Sequence, residues 1–477
     1  MKVAIIGGGI SGLSAAFYLG KERANGAPVE YVLYDSEPRL GGSMFSEQIE
    51  GCVVEAGPDS FLTEKPWASN LCQELGLGDQ LIGSNDAERK TYILVNNRLI
   101  AMPDGLMFMV PTKLVPTVMT SLFSWGTKFR MGLELLHPPR AVGHDETVAQ
   151  MVERHFGKEV VDRLADPLLS GVYGGDAASL SVRAVLPRFV EMEEKYGSLS
   201  RAMIVAHNKM LEARKKTPNA APRPLFTSLK NGMQQMVSAI EQRLEKTAIR
   251  TGTAIEAVTR TGSEWQVKTA AGLERFDAVV MATPARIAGR LLENVSPTLA
   301  ADLQGIVYSS SVTVTFGYSM DQLQGLPHGF GFLVPRTEGT RMLACTFVHN
   351  KFPHRAPADR GIIRCFLGGS KDEAVLQLSD AEIRELCIRE LRQILKLDAL
   401  EEPRFLRIYR WNGAMAQYTP GHLERVQRID NAVCAIPGLA VIGNAFRGIG
   451  VPDCVRSGQE AATMLGNLAK SGSKVSK

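Results

Sequence analysis

At 477 residues the chain is long enough for two or three domains with large cores. Its composition, 45% hydrophobic and 22% charged, is that of a globular protein, and a net charge of +4 over this length gives no reason to expect a nucleic-acid partner. Seven cysteines (Cys52, Cys72, Cys345, Cys365, Cys387, Cys434 and Cys454), odd in number and without C-x-x-C spacing, argue against a disulfide framework or a zinc site and fit a reducing compartment.

The first elements set the chemistry. Lys2-Val3-Ala4-Ile5-Ile6 is a short apolar run, Gly7-Gly8-Gly9-Ile10-Ser11-Gly12 follows at once, and a helical pattern begins at Leu13. Gly7, Gly9 and Gly12 hold the G-x-G-x-x-G spacing, which provides a tight turn, backbone approach to a pyrophosphate and close packing of helix on strand. A second apolar run, residues 29–34, ends in Asp35, near the spacing at which an acid takes a ribose hydroxyl pair. Arg39-Leu40-Gly41-Gly42 then resembles the extension found in FAD-dependent oxidases and desaturases. Each glycine turn alone could be a structural junction or surface loop. In the order strand, turn, helix, acid, doublet they point to FAD.

Residues 66–75 read as a helix, and 91–95 with 98–102 as a hairpin about Asn96-Asn97. From about 105 to 210 the pattern is helical. Leu114, Val115, Val118, Met119, Leu122 and Phe123 make one apolar stripe, read either as an amphipathic helix on a membrane or substrate channel, or as a core helix. Asp145 is the expected cap of a helix carrying Val148, Met151, Val152 and Phe156, and a third helix from about Lys158 is expected to end in the glycine-rich stretch 166–175. Basic, proline-rich residues 212–224 read as a mobile loop.

The chain then returns to its first domain through a helix at 232–246 and strands near 254–258, 265–267 and 276–281. Strands at 311–316, 342–347 and 362–367 suggest an antiparallel sheet, followed by a helix from Asp380. At the end, 439–442 is a buried-type strand, 443–451 a glycine-rich turn and Pro452-Asp453 the opening of a last helix, whose N-terminus could face the edge of a reduced flavin. The expected fold is therefore α/β. An FAD-binding Rossmann-like domain is built of discontinuous segments (1–90, 225–289 and 406–477). An α+β antiparallel-sheet substrate domain spans 91–105 and 290–405, with a helical insertion at 106–210 and a linker at 211–224. The chain enters its first turn at residue 7, leaving no room for a signal peptide, and no run of about 18 apolar residues is present. A cytoplasmic location is expected, with peripheral contact on the inner membrane face left open.

These motifs together resemble the oxygen-dependent protoporphyrinogen and coproporphyrinogen oxidases of haem biosynthesis, especially the soluble bacterial branch. The resemblance covers essentially the whole chain. It is carried by Glu55-Ala56-Gly57-Pro58-Asp59-Ser60-Phe61, by residues 167–173, by Arg410-Trp411-Asn412 with Gln417-Tyr418, and by Gly450-Val451-Pro452-Asp453-Cys454. It implies an enzyme that oxidises a porphyrinogen with dioxygen and releases hydrogen peroxide, and it leaves contact with other haem-pathway enzymes open.

Position by position, the resemblance implies FAD held by Gly7, Gly8, Gly9, Ile10, Ser11 and Gly12, by Asp35 and Ser36, and by Gly41, Gly42 and Ser43. Gly57, Pro58, Asp59, Ser60, Ile255, Trp411, Asn444, Ile449, Gly450 and Val451 complete that set. Leu168, Gly171, Leu333 and Phe366 match the faces that clamp the macrocycle, although Leu333 and Phe366 read by themselves as ordinary core. Relatives specific for protoporphyrinogen often carry an arginine where this chain has Thr91. Lys65 matches a lysine of the bacterial branch and is either a carboxylate anchor or an exposed lysine beside Pro66. No side chain is expected to be catalytic and no metal is expected; His349 and His354, flanking Lys351-Phe352-Pro353, read as part of a solvated loop or, alternatively, as a proton relay. Two other readings share the first turn: a flavin amine oxidase or carotenoid-type desaturase, and a flavoprotein that binds porphyrin without turnover.

Overall fold

The computed structural model describes residues 1–107, 109–111, 113–140, 143–216 and 223–475. Five strands form a parallel sheet in the order Ile249–Arg250, Glu30–Tyr34, Lys2–Ile6, Ala278–Met281 and Leu439–Val441. Val3, Ala4, Ile5, Val279, Val280 and Met281 are completely shielded, the condition of a parallel sheet covered on both faces, and this is why their runs are uninterruptedly apolar. Lys2–Ile6 pairs with Glu30–Tyr34 on one side and Ala278–Met281 on the other, so the chain reverses its direction of winding there. The crevice at the carboxyl ends beside such a reversal is where ligands bind in open α/β sheets. Helix Ile10–Ala24 starts at that crevice, and helix Val451–Val475, which packs along it, starts beyond the carboxyl end of Leu439–Val441.

A second sheet has seven strands in the order Phe405–Ala416, Tyr308–Ser319, Arg360–Gly368, Met342–Phe347, Gly331–Leu333, Thr91–Val95 and Arg98–Ala101. All neighbours are antiparallel except Gly331–Leu333 with Thr91–Val95. Strand Phe405–Ala416 crosses the expected boundary at 406 and pairs along its length with Tyr308–Ser319. Residues 406–416 thus join the antiparallel sheet rather than the nucleotide segments. One face of this sheet is sealed by helix Asp380–Leu395, whose Ile383, Cys387 and Leu391 meet Val314, Phe316 and Cys365. Ser379 and Glu382 close that helix start with a reciprocal capping box. Period-two alternation sends Thr313, Arg364 and Phe366 to the opposite face.

The helical region departs from the expected pattern in three places. The apolar stripe is not one helix: Leu114–Met119 ends at Thr120, which takes an extended conformation, and Ser124 caps a separate helix, Trp125–Glu134. Leu122 and Phe123 turn into the core while Val115, Val118 and Met119 face outward. Thr147, not Asp145, caps Val148–Phe156, because Thr147 and Gln150 form the capping box and the Asp145 carboxylate instead accepts from Ser181 Oγ and Gly421 N–H. The helix begun at Lys158 does end in the glycine-rich stretch 166–175, as expected: it runs through a π turn at Val161–Ala165 and stops at Gly174 in the left-handed conformation. Finally, helix Leu199–Lys216 occupies the first part of the expected linker, and residues 217–222 of that linker lie outside the described residues.

Candidate functional site

The glycine turn is built by two contacts inside the protein and one open space. Gly7 has φ +109°, a conformation that favours glycine. A Cβ on Gly12 would lie 1.9 Å from the Gly7 carbonyl oxygen, so helix and strand can meet only without one. Gly9 is different. Its φ is −69° and a Cβ there would meet no protein atom within 4 Å. Nothing in the chain requires glycine at this position, whereas a pyrophosphate laid on the turn would.

Asp35 stands at the carboxyl end of the neighbouring strand. Its Oδ2 accepts from Gly8 N–H at 2.6 Å and its Oδ1 from Glu37 N–H at 2.8 Å, which fixes the carboxylate at the turn. Thr253 N–H donates to the Asp35 carbonyl at 2.8 Å, bringing the strand that begins at Ile255 alongside. Ser36, next to Asp35, is exposed. The second doublet follows without a gap. Gly41 N–H donates to the Gly8 carbonyl at 2.8 Å, and a Cβ on Gly42 would come within 3.4 Å of Gly9 Cα. The Ser43 carbonyl oxygen would stand 2.0 Å from a Cβ on Gly57. Residues 7–12, 35, 41–43 and 57 therefore form one continuous ribbon of backbone.

Beyond Gly57 the ribbon rests on the seven-stranded sheet. The Ala56 carbonyl accepts three side-chain donors: Thr313 Oγ1 at 2.9 Å, Arg364 Nη2 at 3.0 Å and Trp411 Nε1 at 3.1 Å. Arg364 Nη2 also reaches the Gly57 carbonyl at 2.6 Å. Lys351 Nζ lies 3.0 Å from both Asp59 carboxylate oxygens and donates to Ser60 Oγ at 3.3 Å, leaving Pro58 between two anchored peptides. Burial would raise the Asp59 carboxyl, but the Lys351 ammonium and Arg364 guanidinium together hold it well below the ordinary carboxylate range. Deeper still, Arg355 Nη1 pairs with Glu55 at 2.6 Å, both almost completely buried. Lys351 and Arg355 correct the expectation of a solvated 349–354 loop: Lys351, Phe352 and Arg355 are buried beneath residues 55–60, although His354 is exposed.

At the far end, Asn444 and the turn before the last helix are tied by two aromatic side chains. Tyr418 OH donates to the Asn444 carbonyl at 2.7 Å and accepts from Gly448 N–H at 2.9 Å. His422 stacks on that ring at 4.0 Å and donates to the Phe446 carbonyl at 2.9 Å. The Gly450 carbonyl then accepts the first bonds of the helix from Asp453 and Cys454 N–H, with Ile449 and Val451 on either side. Burial pushes the Cys454 thiol up to about 11, so it stays protonated at neutral pH.

The expected macrocycle faces divide between two elements. Leu333, Phe366, Ala344 and Ile93 fall in one cross-strand row on the open face of the seven-stranded sheet, with Thr91 and Arg364 in the next row. Gly171, on helix Asp166–Tyr173 with Leu168, has Leu333 Cδ2 as its one neighbour, 3.7 Å from where a Cβ would stand. Arg364 lies over the Phe366 ring at 5.0 Å, so the expected substrate wall and the glycine-rich ribbon share that guanidinium. Lys65 is not free. Its Nζ forms a 2.6 Å ion pair with Asp453, and it stands beside the last helix rather than on the sheet face. Among the described residues no group of three or more His, Cys, Asp and Glu side chains is arranged to hold a metal.

The residues missed by the sequence reading are Lys351, Arg355, Arg364 and His422. Arg364 had a visible signal, a lone arginine inside the apolar strand Ile362-Ile363-Arg364-Cys365-Phe366-Leu367. The others sit in polar surroundings that look like surface.

A glycine turn at a switch point, a fixed acid, a second doublet and a returning C-terminal helix define a dinucleotide-binding protein. The chain belongs to the flavin-containing amine oxidoreductase family, whose sequence model matches residues 10–465. It is a flavoprotein oxidoreductase and its cofactor is FAD. It is 33% identical over 471 residues to coproporphyrinogen III oxidase of Bacillus subtilis (strain 168), covering 97% of both chains. Protoporphyrinogen oxidase 1, chloroplastic, of Arabidopsis thaliana is 29% identical over 486 residues, with 97% of this chain and 88% of that one covered. A crystal structure of a candidate protoporphyrinogen oxidase from Exiguobacterium sp. 255-15 superposes with a TM-score of 0.86 at 30% identity, covering 98% of each chain.

Proposed function

We propose that the chain is an FAD-dependent porphyrinogen oxidase of haem biosynthesis, with coproporphyrinogen III as its substrate and dioxygen as acceptor. The observation that carries this reading is the shared guanidinium. Arg364 touches both the Gly57 carbonyl of the cofactor ribbon and the Phe366 ring of a flat apolar row, so a planar macrocycle on that row would lie next to the cofactor. Relatives of nearly equal length support the substrate class, and the one at 33% identity is named for coproporphyrinogen.

FAD would be held by Gly7 to Gly12, Asp35, Ser36, the 41–43 turn, residues 57–60, Ile255, Trp411, Asn444 and residues 449–451. When bound it supplies a two-electron acceptor for hydride from the bridging carbons of the macrocycle, and reoxidation by dioxygen releases hydrogen peroxide. The chain's own work is placement. Leu333, Phe366, Leu168 and Gly171 would orient the ring and exclude water, and Trp411, Thr313 and Arg364 hold the Ala56 peptide against movement. Lys65 would take a substrate carboxylate with the N–H donors that Asp453 does not use. The segment division 1–90, 225–289 and 406–477 for FAD, 91–105 and 290–405 for substrate, and 106–210 for the helical part remains our reading, with strand Phe405–Ala416 moved to the substrate sheet.

Peripheral membrane contact belongs to the same proposal. On helix Trp125–Glu134, Trp125, Phe129 and Leu133 point outward in one stripe, and Leu136, Val115 and Met119 are exposed elsewhere in the helical region. Lys128 lies 4.4 Å over the Trp125 ring, and Lys113 and Arg130 are exposed nearby in sequence. An apolar stripe rimmed by cations suits an anionic lipid surface. Among the described residues no helix is long and apolar enough to cross a membrane. The experiment that tests the function is anaerobic mixing of the purified, FAD-loaded protein with coproporphyrinogen III. Bleaching of the flavin absorbance supports it, and an unchanged spectrum sinks it.

A further inference from the structure

We infer that Arg364 is a buried charge kept for the reduced flavin, raising the reduction potential of bound FAD as well as positioning the Ala56–Gly57 backbone. The inference rests on the flavoprotein reading above. Arg364 is only 4% exposed, yet among the described residues it forms no ion pair within 4.0 Å. Its hydrogen bonds go to two neutral carbonyls, Ala56 and Gly57, and its buried Nε has no partner.

A guanidinium in this state is expensive to bury, because carbonyl dipoles offset only part of the lost hydration. The Ala56 carbonyl does not depend on it, since Thr313 and Trp411 already donate there, and the Gly57 carbonyl calls for a donor but not for a charge. The nearest counter-charge, Asp59, is occupied by Lys351, and Glu55 is occupied by Arg355. Three cations against two carboxylates leave one positive charge under residues 55–60.

The ribbon that starts at Gly9, where the pyrophosphate is expected, runs through Gly42 and Ser43 to Gly57 and ends on this charge. Reduction adds negative charge to the flavin ring system. A fixed positive charge in a water-excluded site stabilises that form more than the oxidised one. The same guanidinium faces Phe366, so its field also covers the wall against which substrate would stack.

The test is the midpoint potential of bound FAD in the wild type and in Arg364→Met, Arg364→Lys and Asp59→Asn, each measured by equilibration with redox dyes. Arg364→Met is expected to lower the potential by about 30 mV or more, a tenfold shift of a two-electron equilibrium. Arg364→Lys recovers at least half of the loss, and Asp59→Asn, which removes a negative charge from the same cluster, moves the potential upward. A structural perturbation would not reverse sign with the charge removed. Shifts in the same direction for Arg364→Met and Asp59→Asn, or an unmoved potential in Arg364→Met at full FAD occupancy, would overturn the inference. Should Arg364→Met fail to fold, the absence of an upward shift in Asp59→Asn overturns it alone. Wild-type protein that cannot be loaded with FAD would instead refute the flavoprotein reading, which keeps the two failures apart.

Discussion

Lys65 and Asp453, 388 positions apart in the chain, form a 2.6 Å ion pair at the start of the last helix. The lysine is partly exposed and the aspartate is not, so the pair joins a solvent-reachable cation to a buried anion. Arg456 stands 3.7 Å from the other Asp453 oxygen and could keep it company if Lys65 left. The ammonium has three N–H donors and Asp453 takes one, so Lys65 can receive a substrate carboxylate from the solvent side with Asp453 still in place.

Lys65→Ala is accordingly expected to raise the Michaelis constant for coproporphyrinogen III by about tenfold, the scale of one charge-assisted hydrogen bond. The rise should be smaller for protoporphyrinogen IX, which has two propionates rather than four, and Lys65→Arg should restore most of it. Small, equal changes on both substrates would leave Lys65 as a structural partner of Asp453 alone.

The glycine turn makes a paired prediction. Gly9→Val should leave the apoprotein's thermal midpoint nearly unchanged, since a Cβ there meets no described protein atom within 4 Å, while abolishing FAD binding. Gly12→Ala should do the reverse in order of effect, destabilising the fold by about 1–3 kcal/mol through collision with the Gly7 carbonyl. Flavin retained at normal stoichiometry in Gly9→Val would remove the pyrophosphate from this turn.

Much of this turn was legible because each residue acts through its neighbours in sequence. Gly7, Gly12 and Asp35 are read from spacing alone, and the Asn96-Asn97 hairpin follows from two residues at positive φ. The buried cations were not legible. Lys351, Arg355 and Arg364 owe their burial to partners roughly 300 positions away, and no local pattern reports such a distance. Arg364 alone broke the apolar alternation of its strand. The stripe from Leu114 to Phe123 misled for a related reason. Helical spacing was correct over Leu114–Met119, but the local Thr120 bond to Leu122 N–H ends the helix and turns Leu122 inward.

The helical region carries its own pH dependence. His155 is fully buried between Glu134, 2.9 Å from Nδ1, and Glu193, 3.3 Å from Nε2. Burial lowers its pKa, but the two carboxylates outweigh this and hold it above the ordinary histidine value. Glu134 also accepts from Ser198 Oγ and from Leu199 N–H, capping helix Leu199–Lys216. A raised folded pKa gives stability that is complete below the unfolded value of about 6.5 and is lost as pH climbs through the folded value. Thermal midpoints should therefore fall as pH rises above about 6.5, and His155→Gln should flatten that slope at a lower overall stability. A slope unaltered in the variant would assign it to other groups.

For the outward stripe, Trp125→Ser with Phe129→Ser should reduce cosedimentation with vesicles containing anionic lipid at least fivefold, while oxidation in detergent stays at the wild-type rate. Wild-type protein that does not sediment with such vesicles would leave the stripe to a protein partner, such as another enzyme of the haem pathway.

Porphyrinogen oxidation by this chain is decided by following porphyrin fluorescence and oxygen uptake together after adding coproporphyrinogen III to the FAD-loaded protein. Fluorescence is expected to rise with oxygen consumed and hydrogen peroxide formed, at a higher rate than with protoporphyrinogen IX. Oxygen uptake with amines but none with either porphyrinogen, or porphyrin binding without flavin reduction, would contradict it.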